Sequence, residues 1–401
     1  MRRLMPAAQA TIFSIAPLFP CFIALTKVEF PGLSLLPRAP TLAVLALCAL
    51  LAIYAIAMLV RYRQPGSQPL LLPLLALFGA GLLAGLLGFD PTGGLLFTGV
   101  GGLGIIWSYA TLRFYGDKNV AVTIFWAYLI SCALAAATAI AMVVTRQPPA
   151  LYALQHGRAT GTFILPGELA GYLIVLLPMA YALGCVGRGR GLRLLAWATF
   201  AIGGVALALT YSRAGWMGFA AAFAFLLAMQ NRYGLRAAAA VVAAGLAAVL
   251  LLFNAHHNPS EDYTRLSIWQ TAQQIIDRFP LTGVGPFNFS RLYALLRAPD
   301  GDPTAFHAHS LYLTFFAEFG IVGLTTVAWT MWRFAVELRR RTANAKPADA
   351  FVALSITAGL VGVAVQGLID TVSVVIFGLW IPTMGLALAA AAGGDPPATE
   401  G

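Results

Sequence analysis

The sequence predicts an all-α polytopic membrane protein, and its composition and hydropathy are the reasons. Of its 401 residues, 60% are hydrophobic and 10% are charged, whereas soluble globular proteins have roughly 25% charged residues. The mean hydropathy is +0.81. The apolar residues occur in blocks of about 20, the length that crosses a bilayer as a helix. Because a helix satisfies its backbone hydrogen bonds within one segment, such blocks predict membrane spans.

About twelve blocks follow one another and form a single integral membrane domain over residues 1–401. They occupy residues 8–26, 41–60, 69–88, 93–114, 120–144, 164–187, 193–211, 214–230, 237–253, 310–332, 350–369 and 371–392. The first block follows two arginines, as a signal peptide does, but Pro17 and Pro20 interrupt it and no small-residue cleavage site follows. We therefore interpret it as a span. The Gly- and Pro-rich residues 393–401 predict a disordered cytoplasmic tail.

The distribution of Lys and Arg predicts how the chain is oriented in the membrane. If the N-terminus is cytoplasmic and the span number is even, both termini lie inside, with 16 of the 25 Lys and Arg residues on that side. The long polar loop over residues 254–306 then lies outside. The same side receives all five histidines: His156, His256, His257, His307 and His309. Chemistry at that face has no access to ATP, and despite the net charge of +10 the cytoplasmic loops are too short to bind nucleic acid.

The long loop predicts two interfacial helices. In the first, Arg265 shares an otherwise apolar face with Trp269, Ala272 and Ile276, so we expect this face to lie on the bilayer with the arginine at headgroup level. A guanidinium at that level suits a lipid phosphate. After a turn rich in Gly and Pro, a shorter helix over about residues 287–297 carries Arg291.

Two further arginines lie at span boundaries on the same side. Arg158 precedes the sixth span, and Arg213 lies in the tight turn between the seventh and eighth spans. An arginine between two spans is costly unless it snorkels to the interface or belongs to a site. Glu168, ten residues after Arg158, is consistent with a structural ion pair at a helix start or with a role at a site.

His307 and His309 lie where the polar loop ends and the tenth span begins. On a helix with 100° per residue, the face of His309 contains four further residues: Tyr312, Phe316, Gly320 and Gly323. The two glycines allow close approach of another helix, so we expect His309 to face a helix bundle. The positive end of a helix favours the neutral imidazole that a general base requires.

Several other patterns do not predict a site. Asp300-Gly301-Asp302 matches a metal-nucleotide motif but lies between two prolines, so it predicts a turn. Gly283-Val284-Gly285 lacks the rest of a dinucleotide fingerprint. The histidines have no nearby Cys or acidic ligand at zinc-like spacing, so we predict neither a metal nor a cofactor.

The histidine segment resembles the motif of a known family. His309-Ser310, nine further residues and Gly320-Ile321-Val322-Gly323 are similar to H-[NSQ]-x9-G-x-x-[GTY], which marks O-antigen ligases and related protein O-oligosaccharyltransferases. Shorter segments in the expected order resemble the broader ligase and polymerase superfamily: 158–163, 211–216, 265–269 and 281–286.

This resemblance implies a membrane-embedded glycosyltransferase of the Gram-negative inner membrane with a periplasmic active site. Such enzymes transfer a glycan from undecaprenyl pyrophosphate to a sugar hydroxyl of lipid A–core, without a metal and with inversion at the anomeric carbon. At matching positions, His309 would deprotonate the acceptor hydroxyl, and Arg213 and Arg265 would hold the pyrophosphate. Further candidates for the pyrophosphate pocket are Arg158, Arg291 and His307.

Three alternatives remain. The polymerase of the same superfamily uses the same donor, but its histidine motif is usually less well matched. A protein O-oligosaccharyltransferase usually has a sizeable domain after the last span, whereas about ten residues follow it here. A lipid or glycan transporter would explain Arg213 and a buried Glu318, but it predicts charges near mid-membrane, and here they cluster at the outer face.

Overall fold

A computed structural model describes residues 39–61, 69–115, 118–163, 165–229, 234–251, 259–299, 301–303, 305–371 and 379–392, with a few residues between 11 and 18. Within these ranges all regular structure is helical. Most of the first predicted span, His256, His257, Asp300 and the predicted tail lie outside the described residues.

Fourteen helices occupy the described ranges. In chain order they are α1 (Ala39–Arg61), α2 (Leu71–Leu87), α3 (Pro91–Phe114), α4 (Lys118–Thr145), α5 (Pro149–Leu154), α6 (Pro166–Val186), α7 (Arg190–Leu209), α8 (Arg213–Ala228), α9 (Gly234–Leu251), α10 (Pro259–Arg278), α11 (Phe289–Leu296), α12 (Leu311–Asn344), α13 (Pro347–Gln366) and α14 (Trp380–Ala391). Five of them begin with proline, whose restricted φ and missing N–H suit the first helical position.

The predicted fold class, an all-α polytopic membrane protein, is confirmed. Among the described residues, α3, α4, α6, α7, α12 and α13 are long and apolar enough to cross a membrane, and five shorter apolar helices accompany them. Together they correspond to the second to twelfth predicted spans. The hydropathy of the blocks predicted nine of these helices to within a few residues. In the other two, α12 extends 12 residues beyond the tenth block, and α14 begins nine residues after the start of the twelfth.

The main core is built around α6, most of which is buried against α4, α7, α8 and α13. Glycines bring helices close together in this core. A Cβ added to Gly218 of α8 would lie 2.6 Å from the carbonyl oxygen of Gly362 in α13. Small residues of this kind allow transmembrane helices to associate through backbone contact.

A second core joins α10, α11 and the start of α12. It contains Ile268, Ala272, Ile275, Ile276, Val284, Phe289, Leu292, Tyr293, Ala305, Ala308 and Ala317. The two helices predicted in the long loop form at α10 and α11, but the expectation that the apolar face of α10 lies on the bilayer is wrong. Ala272 and Ile276 on that face are buried in the second core. An apolar stripe on a helix packs equally well against protein or lipid, so the pattern did not distinguish them.

Candidate active site

His309 lies immediately before α12 and is not part of it. Ser310 is the N-cap residue, and its hydroxyl accepts a hydrogen bond from the N–H of Leu313 at 3.5 Å. His309 has φ 47°, in the left-handed region that residues other than glycine rarely adopt. The prediction that His309 shares a helix face with Tyr312 and Gly320 is therefore wrong, because helical geometry begins only after the serine cap.

His307 holds His309 in this conformation. The backbone N–H of His309 donates to Nδ1 of His307 at 3.1 Å, and the two rings meet edge to face with centroids 4.5 Å apart. His307 is 2% exposed, whereas the side chain of His309 is 27% exposed. His307 thus supports the turn from inside, and His309 presents its imidazole at the surface of the site.

Asp370 is the acidic partner that sequence reasoning missed. Its Oδ1 atom lies 3.9 Å from Nδ1 of His309. The N–H of Leu311 donates to the carbonyl oxygens of Gly367 and Asp370, at 2.8 and 3.2 Å, so the end of α13 packs against the first turn of α12. The sequence signal was weak, an acidic residue at the outer end of a predicted span.

The turn over residues 307–310, which we call the histidine turn, is also surrounded by threonine side chains and by α6. The hydroxyl of Thr314 accepts the N–H of Ala308 at 3.0 Å and lies 3.2 Å from the hydroxyl of Thr371. On the other side, the Asp370 carboxylate approaches Gly167 so closely that a Cβ there would overlap it. The buried side chain of Glu168 belongs to the same first turn of α6.

His307, His309 and Asp370 also form a group that is able to bind a metal ion. One ligand atom from each lies within 4.8 Å of the other two. Two imidazole nitrogens and one carboxylate oxygen are ligands that zinc accepts. The prediction of no metal relied on the lack of an acidic ligand near the histidines, and folding supplies one from the end of the next helix. The cluster is therefore chemically suited to proton transfer and to cation binding.

Arg158 and Arg213 both adjoin the turn between α7 and α8. The Nε atom of Arg158 donates to the carbonyl oxygen of Thr210 at 2.9 Å. Arg213 is the first residue of α8, behind Ser212, whose hydroxyl accepts the N–H of Gly215 at 3.1 Å. The tight turn predicted at this point is thus present; the guanidinium of Arg158 donates to it, and Arg213 follows it directly.

Arg213 connects this turn to α10. Its Nη2 atom lies 3.6 Å from Oδ1 of Asp262, and both side chains are partly exposed. Arg265 is half-buried and follows Asp262 by three residues, so it lies on the same side of α10. The contact between Arg213 and Asp262 thus joins the turn between α7 and α8 to α10, the helix that carries Arg265.

Arg291 has a different partner. Its Nη1 atom lies 2.6 Å from Oδ2 of Asp90, and both side chains are largely buried. Asp90 also caps α3 by accepting the N–H groups of Thr92 and Gly93 at 3.2 and 3.1 Å. This pair attaches α11 to the beginning of α3, which favours a structural role for Arg291.

An apolar cavity of about 90 Å³ lies beside the histidine turn. Five phenylalanines line it: Phe78, Phe97, Phe287, Phe315 and Phe319. Thr314 and Glu318 also line it. Glu318 is 5% exposed, and its Oε1 atom accepts the N–H of Phe289 at 3.4 Å, which provides the partner expected for a buried acid.

Comparison with known proteins identifies a matching family. Residues 198–328 match the family model described as O-Antigen ligase. The matched segment includes Arg213, Arg265, His307 and His309, whereas Arg158 and Asp370 lie outside it. No curated protein matches the chain significantly.

Proposed function

We propose that the chain is a member of the O-antigen ligase family, whose model matches residues 198–328, and that it is the ligase itself. It transfers a glycan from undecaprenyl pyrophosphate to a sugar hydroxyl of lipid A–core, on the periplasmic face of the Gram-negative inner membrane. Both termini are cytoplasmic in this proposal, as the Lys and Arg distribution predicts. The observation that carries the proposal is the grouping of His309 with Asp370 and His307 at the end of the arginine-bearing loop.

His309 is the general base in this reaction. It is exposed enough to reach a ligand, and His307 and the Ser310 cap hold it in place. Its imidazole takes the proton of the acceptor hydroxyl while the acceptor oxygen attacks the anomeric carbon. The bond from that carbon to the pyrophosphate oxygen breaks, undecaprenyl pyrophosphate leaves, and the anomeric configuration inverts. The carboxylate of Asp370 stabilises the imidazolium that forms.

The arginines stabilise the leaving group. Pyrophosphate develops further negative charge as it leaves, so transfer requires cations near it more than a proton donor. Guanidinium groups bind phosphate oxygens in bidentate fashion, and Arg213 and Arg265 provide them from adjoining elements. The exposed contact between Arg213 and Asp262 is weak enough to be exchanged for a phosphate. Arg158 belongs to the same region and supports the turn, and the reaction proceeds without a metal.

The proposal is tested in cells that lack their native ligase. His309→Ala and Arg265→Ala are compared with two exposed controls, His156→Ala and Arg278→Ala, after membrane levels have been matched. Lipopolysaccharide gels and polyprenyl-linked glycan are measured together. We expect loss of the polymer ladder on lipid A–core with accumulation of long glycan on the carrier. In His309→Ala, loss of the general base should lower the rate of glycan transfer by about 10²- to 10⁴-fold.

Other results would assign a different function. Single repeat units on carrier and core would indicate the polymerase, because the long glycan would then never form. A normal ladder with both site variants at wild-type levels would exclude the proposed site and favour transport. Loss of the ladder in the two control variants as well would show that the assay reports folding and not chemistry.

A further inference from the structure

Helix α12 is broken at Gly320, eleven residues after His309. Gly320 has φ 61° and ψ −166°, which no helix contains. In an unbroken helix the carbonyl oxygens of Ala317 and Glu318 would accept the N–H groups of Ile321 and Val322. The break separates these pairs, so four backbone groups need other partners.

The segment between α10 and α11 supplies all four partners. The N–H groups of Val284 and Gly285 donate to Ala317 and Glu318, at 2.9 and 3.0 Å. In the reverse direction, the N–H groups beyond the break donate to carbonyl oxygens of this segment: Ile321 to Pro280 at 2.9 Å and Val322 to Leu281 at 3.2 Å. We call this interlocking of residues 280–285 with residues 317–322 the glycine joint.

The joint tolerates no side chain at two of its positions. A Cβ added to Gly320 would overlap the backbone of Leu281, and a Cβ added to Gly283 would overlap the backbone of Glu318. Gly283 also has a positive φ, 69°, which further favours glycine. The side chain of Glu318 adds one more contact by accepting the N–H of Phe289.

The joint and the second core together attach α10 to α12 at two points. The second core packs Ile268 and Ile275 of α10 in one cluster with Ala308, which precedes His309, and with Ala317, which belongs to the joint. The joint begins two residues after Arg278, where α10 ends. Arg265 on α10 and His309 before α12 are thus carried by one continuous unit.

We propose that the glycine joint is a positioning device for glycan transfer, which sets the placement of Arg265 relative to His309. This proposal rests on the proposed function. Gly283, Gly320 and Glu318 are positioning residues in this proposal, since the contacts that define the joint are with backbone groups. In this proposal the first glycine of the G-x-x-G part of the histidine motif, Gly320, creates the break in α12. Residues 280–285, which follow the Arg265-bearing helix α10, pack into that break.

The expected consequence follows from the geometry of the reaction. The base acts on the hydroxyl and the arginines act on the leaving group, so transfer depends on the distance between them. A misplacement of about 1 Å slows such reactions by up to about 100-fold. Donor binding depends on the arginines themselves, which remain on folded helices when the joint is loosened.

The test compares Gly320→Ala and Gly283→Ala in the purified full-length protein in lipid nanodiscs. Gly204→Ala in α7 is the matched control, because a Cβ there meets open space at an ordinary φ. Binding stoichiometry and affinity for undecaprenyl-pyrophosphate-linked glycan are measured with the single-turnover transfer rate on the same sample. We expect full stoichiometry and wild-type affinity, with transfer per bound donor slowed by about 10-fold or more in both joint variants and unchanged in the control.

A milder pair of variants tests the same device if either glycine variant fails to insert. Glu318→Ala removes the acceptor for the N–H of Phe289, whereas Glu318→Gln retains an acceptor oxygen. We expect the alanine variant to slow transfer per bound donor and the glutamine variant to restore most of the rate. A purely structural contribution would instead lower stoichiometry and rate together.

Two outcomes would overturn the positioning proposal. One is a wild-type rate per bound donor in the joint variants, and the other is a stoichiometry that falls in parallel with the rate. His309→Ala and Arg265→Ala are measured alongside. If the wild-type protein transfers no glycan, the proposed function fails; if His309→Ala and Arg265→Ala transfer glycan normally, the assignment of the site residues fails. If these two variants are inactive while the joint variants are normal, only the positioning proposal fails.

Discussion

The Nδ1 atom of His309 lies 3.9 Å from Oδ1 of Asp370, although α12 and α13 separate the two residues along the chain. The carboxylate oxygen also accepts the N–H of Thr371 at 2.8 Å, which orients it. The 3.9 Å between Nδ1 of His309 and Oδ1 of Asp370 is longer than a hydrogen bond. It still permits a charge interaction once the imidazole is protonated. Asp370 is therefore suited to stabilise the imidazolium and not to replace the base.

Asp370→Asn is expected to slow transfer while leaving donor affinity unchanged. The amide has a similar shape but lacks the charge that stabilises the imidazolium, so we expect a loss of about 10- to 100-fold in the transfer rate. Single-turnover rates of the purified variant measure this. Asp277→Asn, at an exposed position on α10, is the control. A wild-type rate in Asp370→Asn would contradict this role.

Removal of metal ions is expected to leave transfer unchanged. His307, His309 and Asp370 are close enough to hold an ion. If the imidazole of His309 bound a metal, however, its one nitrogen lone pair would not be available for the proton of the acceptor hydroxyl. The measurement is the transfer rate of purified protein before and after treatment with a chelator, with the metal content determined on both samples. Loss of activity on chelation that zinc restores would identify this cluster as a metal centre and contradict the assignment of His309 as the general base.

Arg213→Ala is expected to weaken donor binding. Loss of one charge-assisted contact to phosphate corresponds to about 1.5–3 kcal/mol, or roughly 10- to 100-fold in Kd. Binding of undecaprenyl-pyrophosphate-linked glycan in nanodiscs measures the change, with Arg278→Ala as the control. An unchanged Kd would show that Arg213 does not bind the pyrophosphate.

Asp262→Ala is expected to have the opposite effect on donor binding. The carboxylate of Asp262 lies 3.6 Å from the guanidinium of Arg213 and competes with phosphate for it. Its removal should increase donor affinity, and this increase should disappear in the Arg213→Ala background. A double-mutant cycle on Kd measures the coupling. Weaker binding in Asp262→Ala alone would mean that the carboxylate orients Arg213 for the donor.

Arg291→Ala is expected to lower stability without changing donor affinity. The ion pair with Asp90 attaches α11 to α3, and its loss should lower the free energy of unfolding by about 1 kcal/mol. Asp90→Ala should be more damaging, because it also removes the N-cap of α3, worth about another 1 kcal/mol. Thermal unfolding in detergent measures both variants. A higher Kd for the donor in Arg291→Ala, with unchanged stability, would instead indicate that Arg291 binds the pyrophosphate.

Much of the fold followed from local patterns. The apolar blocks predicted the membrane helices, and the Gly- and Pro-rich turn separated α10 from α11 as expected. The site was predicted less completely. His309, Arg213 and Arg265 were selected from the sequence, whereas Asp370 was not. The helix face assigned to His309 was wrong, because a serine cap shifts the start of a helix by a residue that periodicity does not register.

The sequence by itself determined which segments enter the membrane, since burial of apolar blocks depends on local composition alone. It also placed the histidines and arginines at one membrane level. Tertiary structure alone decided which of them meet. It paired Arg291 with Asp90 and His309 with Asp370, and it interlocked Gly283 with the break at Gly320. The physical reason is that these contacts join residues far apart in the chain, and their geometry is set by how helices pack and not by the order of residues within any one of them.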